Sequence, residues 1–237
     1  MDDPIRLAAL NNAEWCDAIC RAHGRPCTFG DALWFNRQAT PPFYPNAVTL
    51  ARDSRPAIEQ ALPLIQAGAG AAFAIKDSYQ SLDLRPLGFD PLFEAEWILR
   101  APTPSTADRG DISWRVVETE RQLAAWETAW AGGVVDEPIF RVALLADPAV
   151  TLIAGFDGDH IVAGAALNRS AAAMGWSNVF APEADGLSPI AGALAFATTL
   201  AGDLPLVGYE HGEALEKSMA LGFEPVGGLR IWAYRQA

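Results

Sequence analysis

"LGFDPLFEAEWILR" occupies residues 87–100, and "LGFEPVGGLRIWAYR" occupies residues 221–235. Both read Leu-Gly-Phe-acid-Pro-aliphatic, and Phe223 follows Phe89 by 134 positions (223 minus 89), more than half of a 237-residue sequence. A string repeated at that distance predicts one supersecondary unit built twice. Working backwards from each copy extends the match. "YPNAVTLARD" (44–53) and "WSNVFAPEAD" (176–185) both read as strands with an aromatic two residues before an Asn. Each leads to a helical stretch that opens at a proline, "PAIEQALPLIQAG" from Pro56 and "PIAGALAFATTLAG" from Pro189. Proline suits a first helical turn because its missing N–H has no intrahelical partner there. Ser188 stands where an N-cap is expected, and Pro63 predicts a kink in the earlier helix. Both stretches stop at Ala-Gly. Short apolar strands follow, "AAFAIKD" (71–77) and "LPLVGYE" (204–210), each ending on an acid. A short helical piece then leads into the Leu-Gly-Phe string and a final strand.

Upstream the two parts differ. "ETERQLAAWETAWAG" (118–132) has helical amphipathicity, "IFRVALLAD" (139–147) reads as a shorter helix, and "VTLIAGFDGDHIVAGAALNRS" (150–170) reads as a hairpin turning at Asp157-Gly158. The first part has one helix, "NNAEWCDAICRAHG" (11–24), with Asn12 as cap and Gly24 as stop, and no space for a comparable hairpin. "RAPTPSTADRGD" (100–111) is the clearest linker. The expected organisation is an N-terminal domain over 1–100, a linker over 101–111 and a C-terminal domain over 112–237. The fold class is α+β, two halves with mixed central sheets, the first truncated, packed through their sheets or as neighbouring lobes.

Composition narrows the partners. The formal charge is −12, from 29 acidic and 17 basic residues, which disfavours nucleic acid and anionic membranes. The most apolar window, 189–208, is broken by Gly192, Gly202, Asp203 and Pro205, so no transmembrane helix is expected. An odd count of three cysteines and a start without a basic-then-apolar leader predict a cytoplasmic protein without disulfides.

The C-terminal order of helix, helix, hairpin, strand, helix, strand, helix, strand, closing on "EALEKSMALGFEPVGGLRIW", resembles the GNAT-type N-acyltransferase superfamily. There the last helix commonly runs into "lYeklGF" and a strand. The resemblance covers 112–237 well, and the N-terminal part is similar to a shortened, diverged second copy. It implies a GNAT-like fold in tandem and an acetyltransferase that moves an acyl group from acetyl-CoA to a small-molecule amine or a peptide. The protein would be a monomer or homodimer and need no metal. It also implies that backbone N–H groups around Val179, Phe180 and Ala181 hold the thioester carbonyl and pantetheine arm. The pyrophosphate would lie on a strand-to-helix turn patterned Q/R-x-x-G-x-G/A, which falls on "GLSPIA", residues 186–191.

Two departures bear on that implication. Gly186 replaces the basic or amide residue, and Pro189 replaces the central glycine and offers no N–H, leaving Leu187, Ser188, Ile190 and Ala191 to contribute. Ser218 stands where many members carry a tyrosine that reprotonates the thiolate, and a serine without an activating base is a poor proton donor. Ser218 reads equally as a small helix residue. Tyr209 and Glu210 are the alternative polar groups at the cleft, although Tyr209 also reads as a core ring. A degenerate, non-catalytic GNAT-like protein binding a ligand or partner is the alternative these departures allow.

Other clusters carry less. Cys16, Cys20 and His23 share a helical face near Cys27, a possible zinc set, but without a second ligand pair they read as small buried hydrophobes. Trp34, Phe35, Phe43 and Tyr44 either line an apolar pocket or fasten a loop. Asp136, Glu137 and Glu183 are acids that could attract an amine, but in so acidic a chain most such groups must be solvated surface. His160 and His211 have no nucleophile partner.

Overall fold

The computed structural model describes residues 3–70, 72–103, 112–182 and 186–235. In it the two repeated strings lie side by side. Each passes a glycine at φ 87°, Gly88 and Gly222, and enters a long strand, β5 (Phe89–Arg100) or β12 (Glu224–Tyr234). These strands pair antiparallel, with Ala95 opposite Leu229. The offset between those two residues is the same 134 that separates Phe89 from Phe223, so the repeats meet about a local two-fold axis. Arg230 bonds the Glu94 carboxylate across the ladder at 2.6 Å.

The strands on either side preserve that symmetry. β4 (Ala74–Asp77) lies antiparallel to β12, and β11 (Leu206–Glu210) lies antiparallel to β5. Next to them β3 (Ala47–Thr49) runs parallel to β4, and β9 (Met174–Gly175) runs parallel to β11. With β1 (Thr28–Phe29) and β2 (Leu33–Phe35) on the N-terminal edge, the sheet order is β1-β2-β3-β4-β12-β5-β11-β9. The last strand of each segment is therefore seated between two strands of the other. A second sheet, β10-β8-β7-β6, comprises β6 (Ser113–Val116), β7 (Val150–Asp157), β8 (His160–Asn168) and β10 (Ser177–Phe180).

Helices cover both faces. Side-chain alternation sends Val207 and Trp97 to the cluster under α1 (Pro4–Ala22), and their neighbours Leu206 and Ile98 to the cluster under α4 (Ser188–Ala201). α3 (Glu120–Ala131) shares a core with the far end of α1. α2 (Arg55–Ala69) covers Ile75 and Trp232, and Leu215 of α5 (Gly212–Ala220) packs into the cluster under α4.

Three local expectations change. α1 begins eight residues before Asn12, because Asp3 accepts the Ile5 N–H at 3.0 Å and Pro4 fits the first turn. Asn12 is therefore inside the helix, where the fully buried Ala9 and Ala13 let α1 lie close on the sheet. The stretch 139–147 forms only a 3₁₀ turn, Val142–Ala146, because the Glu127 carboxylate takes the N–H groups of Ile139 and Phe140. The hairpin loop is Gly158-Asp159, one residue later than expected, since Asp157 pairs with His160.

This interleaving makes a prediction. Residues 112–237 expressed alone lack the strand between β11 and β12, leaving two open edges. The fragment should show no cooperative thermal transition and should self-associate on gel filtration. A chain cut within the linker should co-purify as two pieces. A monomeric fragment with a sharp melt would show that the exchanged strand is dispensable.

Candidate functional site

β9 and β11 are paired only through Met174–Leu206 and Gly175–Val207, and the Trp176 N–H to Val207 carbonyl bond of 2.7 Å is their last. Beyond it the chain crosses to the second sheet, where β10 joins β8, while β11 stays with β5 as far as Glu210–Glu96. Asn178, at φ 51°, lies where the β10–β8 register shifts. The positive φ of a non-glycine residue there marks a strained bulge. The strands therefore part, and the gap opens into a cavity of about 300 Å³ whose opposite wall is α1.

The hinge of the parting is tightly packed. Asn11 of α1 donates to the Asn168 carbonyl at 3.0 Å, and Asn168 donates back to the Asn11 carbonyl at 2.9 Å. Gly175 sits against this reciprocal pair: a Cβ there would stand 1.9 Å from Asn168 Oδ1 and 2.5 Å from Asn11 Oδ1. Only glycine lets the strand, the helix and β8 converge at this point.

Glu210, Lys76 and His211 are among the ionisable groups that line the cavity. Glu210 ends β11, and burial pushes its carboxyl up to about 7. Lys76 of β4 is 1% exposed. Its Nζ donates to Asn12 Oδ1 at 2.7 Å and lies 3.8 Å from the centre of the Tyr209 ring. Tyr44 Oη is also buried against the cavity; it approaches Asn178 and Trp15 without meeting hydrogen-bond geometry. Burial holds its hydroxyl well above the usual phenol range.

The residues expected from sequence divide between two places. Tyr209, Glu210 and Val179 line the cavity. Tyr209 also packs edge-on to Trp97 at 5.7 Å, so cleft and core share its ring. Phe180 packs on Trp126 at 5.3 Å, and Ala181 and Ile190 pack against the core under α4. Gly186 and Ser188 are exposed and Leu187 is half-buried. Leu187, not Ser188, precedes the helix, and no side chain caps it. The Ala191 N–H is already bonded to the Leu187 carbonyl at 2.8 Å. Pro189 is buried, so its ring faces the protein and not the exposed helix end. Ser218 is 8% exposed and does not border the cavity. Glu183 lies outside the described residues.

The remaining clusters resolve simply. His23 Nε2 bonds the Ile139 carbonyl at 2.7 Å, and no group of three or more metal-ligating side chains occurs among the described residues. Burial raises the Cys16 thiol to about 12. Phe43 packs on Trp130 at 6.0 Å and lines the cavity together with Tyr44. Asp136 and Glu137 are exposed. Lys76 was not singled out from sequence, and Asn12 and Asn178 were read only as a helix cap and a strand residue; the available signal was a lone lysine inside the apolar strand "AAFAIKD".

Two outcomes follow from this packing. Gly175→Ala should destabilise the fold by roughly 2–3 kcal/mol, the cost of overpacking a tight site, read from the urea midpoint. Glu210 should make stability fall with rising pH. Its folded value lies above the ordinary 4.5, so its contribution is complete below pH 4.5 and is lost as pH rises through about 7. Glu210→Gln should therefore gain roughly 1–3 kcal/mol on wild type between pH 4.5 and 8, measured by denaturation at both ends.

No family model matches the sequence, and no curated protein matches it. Solved structures do. A GCN5-related N-acetyltransferase from Kribbella flavida superposes with a TM-score of 0.63 at 13% identity, covering 97% of this chain and 96% of its own. A conserved protein of unknown function from Staphylococcus epidermidis gives 0.62 at 10% identity, over 89% and 93%. A GCN5-related N-acetyltransferase from Sphaerobacter thermophilus gives 0.53 at 14% identity, over 96% and 92%. These matches span both segments, and with the parted strands they identify the chain as having the GNAT fold.

Proposed function

We propose that the protein transfers an acyl group from an acyl-CoA, acetyl-CoA in the first instance, to an amine. The observation that carries this reading is the gap between β10 and β11 with the Glu210 carboxyl inside it. Past Trp176 the two strands no longer bond to each other, so their facing edges keep backbone groups available for the amides of a pantetheine arm. At the start of α4 the N–H groups of Gly186, Leu187, Ser188 and Ile190 offer a reduced phosphate cradle. Pro189 gives none, and the Ala191 N–H is spent within the helix.

An acyl-CoA, when bound, supplies the activated thioester carbonyl. Glu210, about half ionised near pH 7, takes a proton from the acceptor ammonium and leaves a neutral amine to attack. Those backbone N–H groups of the Val179–Ala181 stretch that face the gap, alternate ones along the strand, orient the carbonyl. The Tyr209 hydroxyl gives a proton to the departing sulfur and regains one from the attacking nitrogen as the amide forms. Ser218 takes no part in these steps. On this reading the segments 1–100 and 112–237, joined through 101–111, are two copies of one unit. The palindromic strand order supports that view. In the first copy β3 is bonded on both sides, by β2 and β4, so only the second copy keeps a gap.

With the activity in hand, kcat/KM should rise about tenfold per pH unit below pH 7 and flatten above it. Glu210→Gln should lose roughly 100- to 1,000-fold, and Ser218→Ala should stay within about threefold, since it touches none of the reacting groups. Pro189→Gly should tighten CoA binding by restoring an N–H. The decisive measurement is calorimetric titration with acetyl-CoA: micromolar binding supports the proposal, and no heat at millimolar ligand ends it.

A further inference from the structure

Lys76 is one of two lysines in a chain of formal charge −12, yet it is almost wholly buried at the cavity wall. No carboxylate lies within ion-pair distance of it among the described residues; its one protein acceptor is the neutral Asn12 Oδ1. The Tyr209 ring covers a second side of the ammonium at 3.8 Å, and the Trp97 ring stands 5.6 Å away. An ammonium has three N–H donors, so this arrangement leaves donor capacity toward the cavity. Burying a cation without a counter-ion is costly. Tyr44 Oη, buried without a partner, adds a second unspent donor on the same cavity. Glu210, of opposite sign, lines the same cavity, as does His211.

We infer that the cavity takes an amine that also carries a carboxylate, a member of the amino-acid class, with Lys76 and Tyr44 holding the carboxylate and the amine directed to Glu210. The volume of about 300 Å³ is at the small end of ligand sites, which suits such a molecule and excludes a folded peptide. Asn12 positions Lys76 without neutralising it; an aspartate there would fill the role of the ligand's own carboxylate. The direction of the amine rests on the acyl-transfer reading, whereas the carboxylate site does not.

The test uses the full chain and separates those two layers. First, N-acetylated amino acids and their carboxamides are compared by thermal shift, without acyl-CoA. At least one free acid should stabilise the protein with an affinity roughly 10- to 100-fold above its amide, the range expected for a charged hydrogen bond. Lys76→Met should collapse that ratio toward one. Asn12→Asp, which keeps the shape and supplies an internal counter-ion, should collapse it as well, so the result does not depend on Lys76→Met folding. Second, α- and ω-amino acids are compared as acceptors with the matching amines that lack the carboxylate, by thiol release from acetyl-CoA. Amino acids should be preferred by a similar factor in kcat/KM. Equal binding of acids and amides, or equal turnover of amines without a carboxylate, overturns the inference while leaving acyl transfer intact. Selective, Lys76-dependent binding of the acids with no turnover keeps the carboxylate site and removes the acyl-transfer reading. A one-acetyl mass gain on Lys76 itself would make it an acceptor and overturn the inference.

Discussion

The antiparallel pairing of β5 with β12 is the interaction on which the rest of the molecule depends. Each strand follows a Leu-Gly-Phe string, and each lies between two strands contributed by the other segment. Because the pairing is centred on Ala95 and Leu229, it fixes how far β4 stands from β11. It also carries the N-terminal segment's α1 over the face where β10 and β11 part. Without that pairing, Lys76 and Glu210 would not share a cavity. The position of the site is thus a consequence of register in the middle of the sheet, not of the loops around it.

Much of this was legible in the sequence. Proline at the first helical turn marked the starts of α2 and α4 to within a residue, and the apolar runs flanking Asp157-Gly158 marked β7 and β8. The repeated string marked both long strands. These features are local and follow from backbone sterics and turn chemistry. The exchange of final strands was not legible, because each string would satisfy its hydrogen bonds equally well beside either segment. The start of α1 was missed because Asp3-Pro4 is a sufficient cap in the absence of any apolar periodicity before it. The early resemblance between Asn46 and Asn178 also misled. Asn178 lies within β10, in the second sheet, whereas Asn46 precedes β3 in the first.

For the site, Tyr209 and Glu210 were visible as polar residues ending an apolar strand, and the parting of the strands leaves both lining the cavity. Ser218 was placed by counting back from the Gly-Phe, but the helix turns it into the protein. Lys76 was passed over because a lysine in a strand usually extends its head group to solvent. Here the head group has nowhere to go: α1 covers that face, and Asn12, Trp97 and Tyr209 enclose the ammonium.

That enclosure explains why the hinge must be stiff. A cavity holding a buried cation and a carboxyl raised by burial is a place where the fold gives up stability. Water entering freely would relieve both charges, and would remove the low dielectric that raises Glu210. Packing α1 on β8 and β9 through Asn11, Asn168 and Gly175 keeps that wall close to the parted strands. A ligand with complementary charges would bind the folded state alone and return the lost stability by mass action. The rigid contact and the two strained charges are therefore parts of one arrangement: the first preserves the environment that gives the second its affinity.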